Sequence, residues 1–193
     1  LGVENHGGAS TGRLRASAAL SLPNLLGRGD LLSLNLLSPG ASMLYGRAAY
    51  DMLVDGAGTR AGATLSSVRY SLGGSLAALG AEGTAHVAGL TMRRPLLRSR
   101  LLNVYASAQY EHKRLVDEVN TASVRTDRRL DLLQAGLSAD RRDDWAGGGA
   151  FTGSLTLSRG RVGFEDAAAQ QADAVAARTP RATVSCENTL PRN

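Results

Sequence analysis

Isoleucine is absent from this chain, lysine occurs once, at Lys113, and cysteine once, at Cys186. A lone cysteine excludes an internal disulfide and a thiolate metal cluster. No stretch approaches the roughly 20 continuous apolar residues of a membrane helix, so a membrane role has to rest on strands. Aromatic residues make up only 4% of the chain, which is thin for the core of a soluble β-domain. An initiator methionine and a basic-then-apolar leader are missing ahead of Leu1, from which we expect the natural N-terminus to lie further upstream. The formal charge of +5 rests almost wholly on arginine. Nucleic-acid binding would want those arginines on one face, interleaved with aromatics. They are scattered, so no nucleic-acid partner is expected.

What is present is alternation. In Arg13–Leu22, Leu14, Ala16, Ala18, Leu20 and Leu22 fall on one face of an extended chain, with Arg13, Arg15, Ser17 and Ser21 on the other. A period of two means one apolar and one wet surface. Pro23–Asp30 is a dense turn signal. Leu31–Ser38 then sets Leu32, Leu34 and Leu36 against Ser33 and Asn35, and Pro39-Gly40 breaks it. Met43–Leu53 sets Leu44, Ala48, Tyr50 and Met52 against Tyr45, Arg47 and Asp51. Asp55–Gly58 reads as a hairpin turn, and Thr59–Tyr70 sets Ala61, Ala63 and Leu65 against Arg60, Gly62 and Thr64.

Glu82–Met92 alternates weakly, and Arg94-Pro95 is expected to end it. Leu102–Leu115 is clearer, with Val104, Ala106, Ala108 and Tyr110 facing away from Asn103, Ser107, Gln109 and Glu111. A polar loop is expected around Asp117–Ala122, a strand over Arg125–Ala139, a charged turn at Arg141–Asp144 and a last strand over Ala146–Leu157. About eight strands of roughly ten residues match an antiparallel, up-and-down, all-β transmembrane barrel. Residues 1–165 are assigned to this partial barrel. Residues 166–193 are assigned to an external loop, rich in helix formers over Asp166–Arg178, followed by an irregular and aberrant tail from Thr179.

Chemistry-bearing sets are not apparent. His6, His86 and His112 lack companions at metal-ligand spacing, so no metal or cofactor is expected. Gly56–Gly62 lacks the Gly-Lys-Ser/Thr ending of a phosphate loop. The Arg28-Gly29-Asp30 triplet is better explained as a tight turn. Asp143 and Asp144 are adjacent, and neighbours on a strand point to opposite faces. No nucleophile, base and orienting group come together, so no catalytic residue is named and no enzyme is expected.

Particular residues resemble a known family, the outer-membrane transporters of two-partner secretion (haemolysin activators and filamentous-haemagglutinin transporters). Val3–Gly12, with Asn5 and Gly12, is similar to that family's entry to the barrel. Asn24, Gly27, Gly29 and Asp30 match its turn motif, with Leu25 in place of a usual proline. Pro95, Leu96, Arg98 and Arg100 match a third motif; Tyr110, Arg114 and Asp117 match a fourth, and Asp127–Leu130 continues the match.

The resemblance implies part of a sixteen-strand barrel in the bacterial outer membrane, about half of it, on the N-terminal side. It also implies export of a large TpsA-type adhesin or haemolysin without ATP. Periplasmic POTRA domains and a plug helix, neither visible in these residues, would belong to the same polypeptide. Membrane lipid and the secreted client are the expected partners. Alternation alone assigns Arg13, Arg15, Ser17, Asn35, Arg47, Arg60, Asn103, Gln109 and Glu111 to the pore. The rival readings are a secreted or surface β-structured adhesin domain, and a related barrel-assembly protein.

Overall fold

The computed structural model describes residues 1–4, 15–40, 42–73, 77–78, 80–122, 124–143, 149–164 and 181–189. Ten strands form one sheet in strict chain order: β1 (Gly2–Glu4), β2 (Arg15–Pro23), β3 (Leu31–Pro39), β4 (Met43–Leu53), β5 (Arg60–Ser71), β6 (Ala81–Arg98), β7 (Leu102–Val119), β8 (Val124–Asp143), β9 (Gly149–Phe164) and β10 (Arg181–Thr189). Every neighbouring pair is antiparallel. The sheet is therefore a simple meander, with β1 and β10 at its edges.

Register decides which side chains share a face, because directly opposed residues point the same way. Leu20, Leu34, Ala48, Leu65 and Ala88 form one continuous row across β2–β6. Leu32, Tyr50, Ala63, Leu90, Tyr110 and Leu133 form the next, across β3–β8. Among the described residues no hydrophobic side chain is buried, and Leu36, Leu65, Leu90, Leu133 and Leu157 are each more than half exposed. A sandwich would cover this face with a second sheet, and all the described strands belong to one.

Strand ends differ from the sequence expectation in a consistent direction. β6 does not stop at Arg94-Pro95 but runs to Arg98, with the register slipping between Pro95 and Leu97. Proline cannot donate to a ladder, and a bulge absorbs it. β7 continues through Asp117 to Val119, β8 continues through Arg141 to Asp143, and β9 begins at Gly149 and passes Leu157 to reach Phe164. Past Tyr110 in β7, before Leu133 in β8 and past Leu157 in β9, polar residues stand on both faces. Alternation vanishes there while pairing persists.

Among the described residues the strands number ten rather than about eight, and Gly2–Glu4 supplies a short strand ahead of Arg15–Pro23. Residues 181–189, read as irregular, pair with β9 instead; Ala182 opposes Leu157 and Val184 opposes Leu155. The apolar Ala182 and Val184 alternate with Thr183 and Ser185, a pattern too short to register in isolation. The expected loop over Asp166–Arg178 lies outside the described residues.

Candidate functional site: a two-faced wall and its clamps

The polar face is built by the residues that alternate with the leucines. Register places Arg15, Ser17, Asn35, Arg47, Arg60, Asn103, Gln109 and Glu111 together on it; Arg13 lies outside the described residues. Its charges are paired both across neighbouring strands and along β7. Arg15 meets Glu4 at 3.6 Å, Lys113 meets Glu111 at 2.8 Å, and the Arg60 guanidinium binds Asp51. Gln109 donates to Glu111 at 2.8 Å and Asn103 to Asp140 at 2.8 Å. Arg93 lies over the Tyr105 ring, 4.1 Å from its centre, a cation–π contact. A face compensated in this way is wet without presenting a deep, single-sign binding site.

One lateral tie crosses four strands. Tyr70, Gly83 and Asp117 lie in one row. A Cβ on Gly83 would stand 2.7 Å from the Tyr70 ring and hydroxyl, so the tyrosine lies flat across the glycine. Its hydroxyl donates to Asp117 at 2.8 Å, and Arg128 completes the tie to the same carboxylate at 2.7 Å. Nothing in the sequence joins Tyr70, Gly83 and Arg128, because only the pairing of four strands brings them together.

The turn after β2 is a clamp. Asn24 adopts φ +58°, and Gly27 and Gly29 adopt +72° and +65°, values that favour glycine and asparagine. The Asp30 carboxylate, 2% exposed, accepts the amides of Leu26 at 3.1 Å and Arg28 at 3.3 Å, and the Tyr50 hydroxyl at 3.1 Å. The Asn24 side chain accepts the Gly29 amide at 3.0 Å, and the Arg60 guanidinium donates to the Gly29 carbonyl at 3.2 Å. Asn24, Gly27, Gly29 and Asp30 thus build one object, and the Arg-Gly-Asp triplet is part of its backbone.

The turn after β4 repeats the device. Asp55 accepts the Thr59 hydroxyl at 2.6 Å and the Thr59 amide at 2.8 Å. Pro95 packs against Gly58 from the bulge of β6, at 3.3 Å from the position a Cβ would take. The motif residues Pro95 and Leu96 therefore mark the bulge, Arg98 ends β6, and Arg100 sits in the turn to β7. There Ser99 closes the hairpin through Leu102, donating at 2.8 Å and accepting at 2.9 Å.

Burial pushes the Asp30 carboxyl up, but the amides of Leu26, Arg28 and Asp30 itself, with the Tyr50 hydroxyl, outweigh it and hold the group below its ordinary value. The hydroxyl and amide of Thr59 likewise hold Asp55 down, against burial. A depressed carboxylate contributes stability above its unfolded pKa and loses it as pH falls through the folded one. Both turns should therefore keep slow amide exchange at Leu26, Arg28 and Thr59 down to about pH 4 and lose protection only below it. Protection lost near neutral pH would show that the carboxylates are not the clamps.

The fourth motif and its continuation prove to be one another's partners. β7 and β8 pair so that Arg114 opposes Arg129 and Asp117 opposes Thr126. Arg114 binds Asp127 at 2.6 Å, and Asp131 takes both the Tyr110 hydroxyl, at 2.7 Å, and His112 Nδ1, at 2.8 Å. Asp131 lies two positions before Leu133 on β8, and only the pairing of β8 with β7 brings it to Tyr110 and His112. Asn5 and Gly12 lie outside the described residues.

An antiparallel meander with an apolar belt along one face and a wet opposite face is the wall of a β-barrel of the membrane type. The family model of the haemolysin secretion/activation protein ShlB/FhaC/HecB matches residues 1–191, and the chain belongs to that family of two-partner secretion transporters. The Heme/hemopexin transporter protein HuxB of Haemophilus influenzae is 33% identical over 138 residues, covering 71% of this chain and 24% of that protein. The chain thus spans about a quarter of that relative's length. Among solved structures, CdiB from Escherichia coli aligns with a TM-score of 0.67 at 20% identity, over 82% of this chain and 30% of that one. CdiB from Acinetobacter baumannii aligns at 0.65 and 16% identity, over 93% and 32%. At such identities the two structures speak to the fold.

Proposed function

We propose that this sheet is part of the wall of a two-partner secretion pore in the bacterial outer membrane, through which a TpsA-type client polypeptide crosses without ATP. The apolar face meets lipid, and the polar face meets a water-filled lumen. The observation that carries this reading is the segregation of the faces in a sheet without any buried hydrophobic residue among those described. Such a sheet is stable only where lipid replaces the missing core. On this reading the turns at 24–30, 54–59 and 99–101 are periplasmic, and the opposite end, toward which β6, β7 and β8 extend past the belt, is external.

Paired charges on the polar face suit passage of an extended chain that must not stick. The client's secretion domain would be recognised by POTRA domains of the same polypeptide. A photo-crosslinking residue placed at Gln109 in the full-length protein should capture the client in transit, whereas one placed at Leu133 should capture lipid or nothing. Client captured equally from both positions, or only from Leu133, would refute the assignment of faces.

A further inference from the structure

The polar face is not evenly charged. Across β7, β8 and β9, Tyr105, Ser138 and Ser154 lie in one row, Ser107, Gly136 and Thr156 in the next, and Gln109, Gln134 and Ser158 in a third. None of these nine residues carries a charge, and the side chains of all but Gly136 can both donate and accept hydrogen bonds. The register carries the pattern on to Ser185 and Thr183 of β10, opposite Ser154 and Thr156. Charged residues stand at the borders of the tract: Arg93 on β6, Glu111 past Gln109, Asp140 past Ser138 and Arg181 opposite Ser158. Arg93 is engaged by Tyr105, Glu111 by Lys113 and Asp140 by Asn103.

The tract runs along the strands. From Tyr105 to Gln109, four intervals at about 3.4 Å make about 14 Å. A cavity of about 490 Å³ lies over it, lined by Ser107, Gln109, Gln134, Gly136 and Thr156. At its other edge stand Thr91, Arg93, and Asp51 and Arg60 bound to one another. The floor is low because glycines lie beneath hydroxyls: a Cβ on Gly136 would stand 2.8 Å from Ser107 Oγ, and one on Gly62 2.8 Å from Thr91 Oγ1. The nine positions themselves offer no counter-charge to an ionic ligand. Their one aromatic ring, Tyr105, already carries Arg93, which speaks against a ligand held by stacking. An extended polypeptide is a different case, because nearly every residue brings an N–H and a C=O that need partners.

We infer that this tract is the surface along which the client's extended backbone moves, its amides exchanging hydrogen bonds with Ser107, Ser138, Ser154 and Thr156. The tract has this role only on the pore reading above, which sets this face toward the lumen and the strands across the membrane. A chain that leaves water to lie on a wall loses hydrogen bonds to its amides, and hydroxyl and amide side chains restore them whatever the client's sequence. Being uncharged, they hold neither the acidic nor the basic side chains of the client in ion pairs.

The test uses the full-length protein with its TpsA-type client, stalled in transit by a stably folded domain fused to the client's C-terminus. A photo-crosslinking residue at Ser138 or Thr156 should capture the client several times more often than one at Ser33 or Thr64, on the same face of β3 and β5. Ser107→Ala, Ser138→Ala, Ser154→Ala and Thr156→Ala combined should slow release of the unfused client about fivefold, as the loss of one ordinary hydrogen bond would. The folded, fast-migrating electrophoretic form should be undiminished, and Ser33→Ala with Thr64→Ala should leave export unchanged. Should the combined variant fail to fold, the crosslinking comparison decides by itself. Equal capture from the four positions, capture of a segment of the same polypeptide in place of the client at Ser138 and Thr156, or unchanged export in a folded combined variant overturns the tract while leaving the pore intact. Client captured from none of the four positions, but captured from Leu133, overturns the pore reading itself.

Discussion

Asp30→Ala should all but eliminate the folded barrel and with it client export, an effect larger than that of any other single turn substitution. The reason lies in what the carboxylate holds. Its two oxygens take the Leu26 and Arg28 amides and the Tyr50 hydroxyl in a site 2% exposed. Removing the acceptor leaves buried donors without partners, and an unmet buried donor costs more than the bond itself contributed. Three consequences arise together: the turn loses its frame, Asn24, Gly27 and Gly29 stay in conformations that were worth adopting only with it, and β4 loses its tie to β3 at this end.

A register slip of one residue in β3 would send its leucines to the wet face. That is why a turn can govern a wall. The measurement is the ratio of fast- to slow-migrating forms after extraction from membranes, together with secreted client. We expect both to fall by at least about tenfold, in keeping with the loss of a buried network. Asp30→Asn, which keeps an acceptor oxygen, should recover part of each. An Asp30→Ala protein that folds and exports normally would show that the motif serves something other than the turn.

Leu90→Arg should be the other severe change, and its value is that a neighbour on the facing strand supplies the control. Leu90 is 60% exposed in the middle of the apolar face, opposed by Ala63 and Tyr110. An arginine on the lipid face of a barrel costs about 2–4 kcal/mol near the midplane, or roughly 30- to 700-fold in the folding equilibrium. Gln109→Arg lies one residue from Tyr110 but on the wet face, where it should change stability by no more than about 0.5 kcal/mol. Folding into lipid vesicles across a urea series measures both. Equal costs at the two positions would mean that the faces are not separated by lipid and water.

Legibility in the sequence followed the environment closely. Between Val104 and Tyr110, where one face is apolar and the other wet, alternation marks the strand and its faces correctly. Six intervals at about 3.4 Å each make some 20 Å of strand, near the roughly 25 Å apolar band of such barrels. Beyond Tyr110 the same strand continues through His112, Arg114 and Asp117 with polar residues on both faces. No period of two remains to be read there, and the segment past Asp117 resembles a loop. Its pairing is sustained by cross-strand partners such as Arg114 with Asp127 and Asp117 with Arg128, and partners on another strand leave no local mark. Pro95 misleads for a related reason: the residue that ends most strands is accommodated here by a bulge.

By itself the sequence determined the class of sheet, the two faces of the belt and the positions of the turns after Pro23 and Leu53. These are local matters: a side-chain period of two, and residues such as Asn24, Gly27 and Asp55 whose conformations and hydrogen bonds reach only a few positions along the chain. Only the tertiary structure decided how far the strands run past the belt, that β1 and β10 complete ten strands, and which charges meet. Tyr70 needs Gly83 beneath it and Asp117 beyond it, and His86 comes beside Arg114 and Arg129 only through the pairing of three strands. Those relations depend on register between segments far apart in the chain, and register is set by the whole sheet at once.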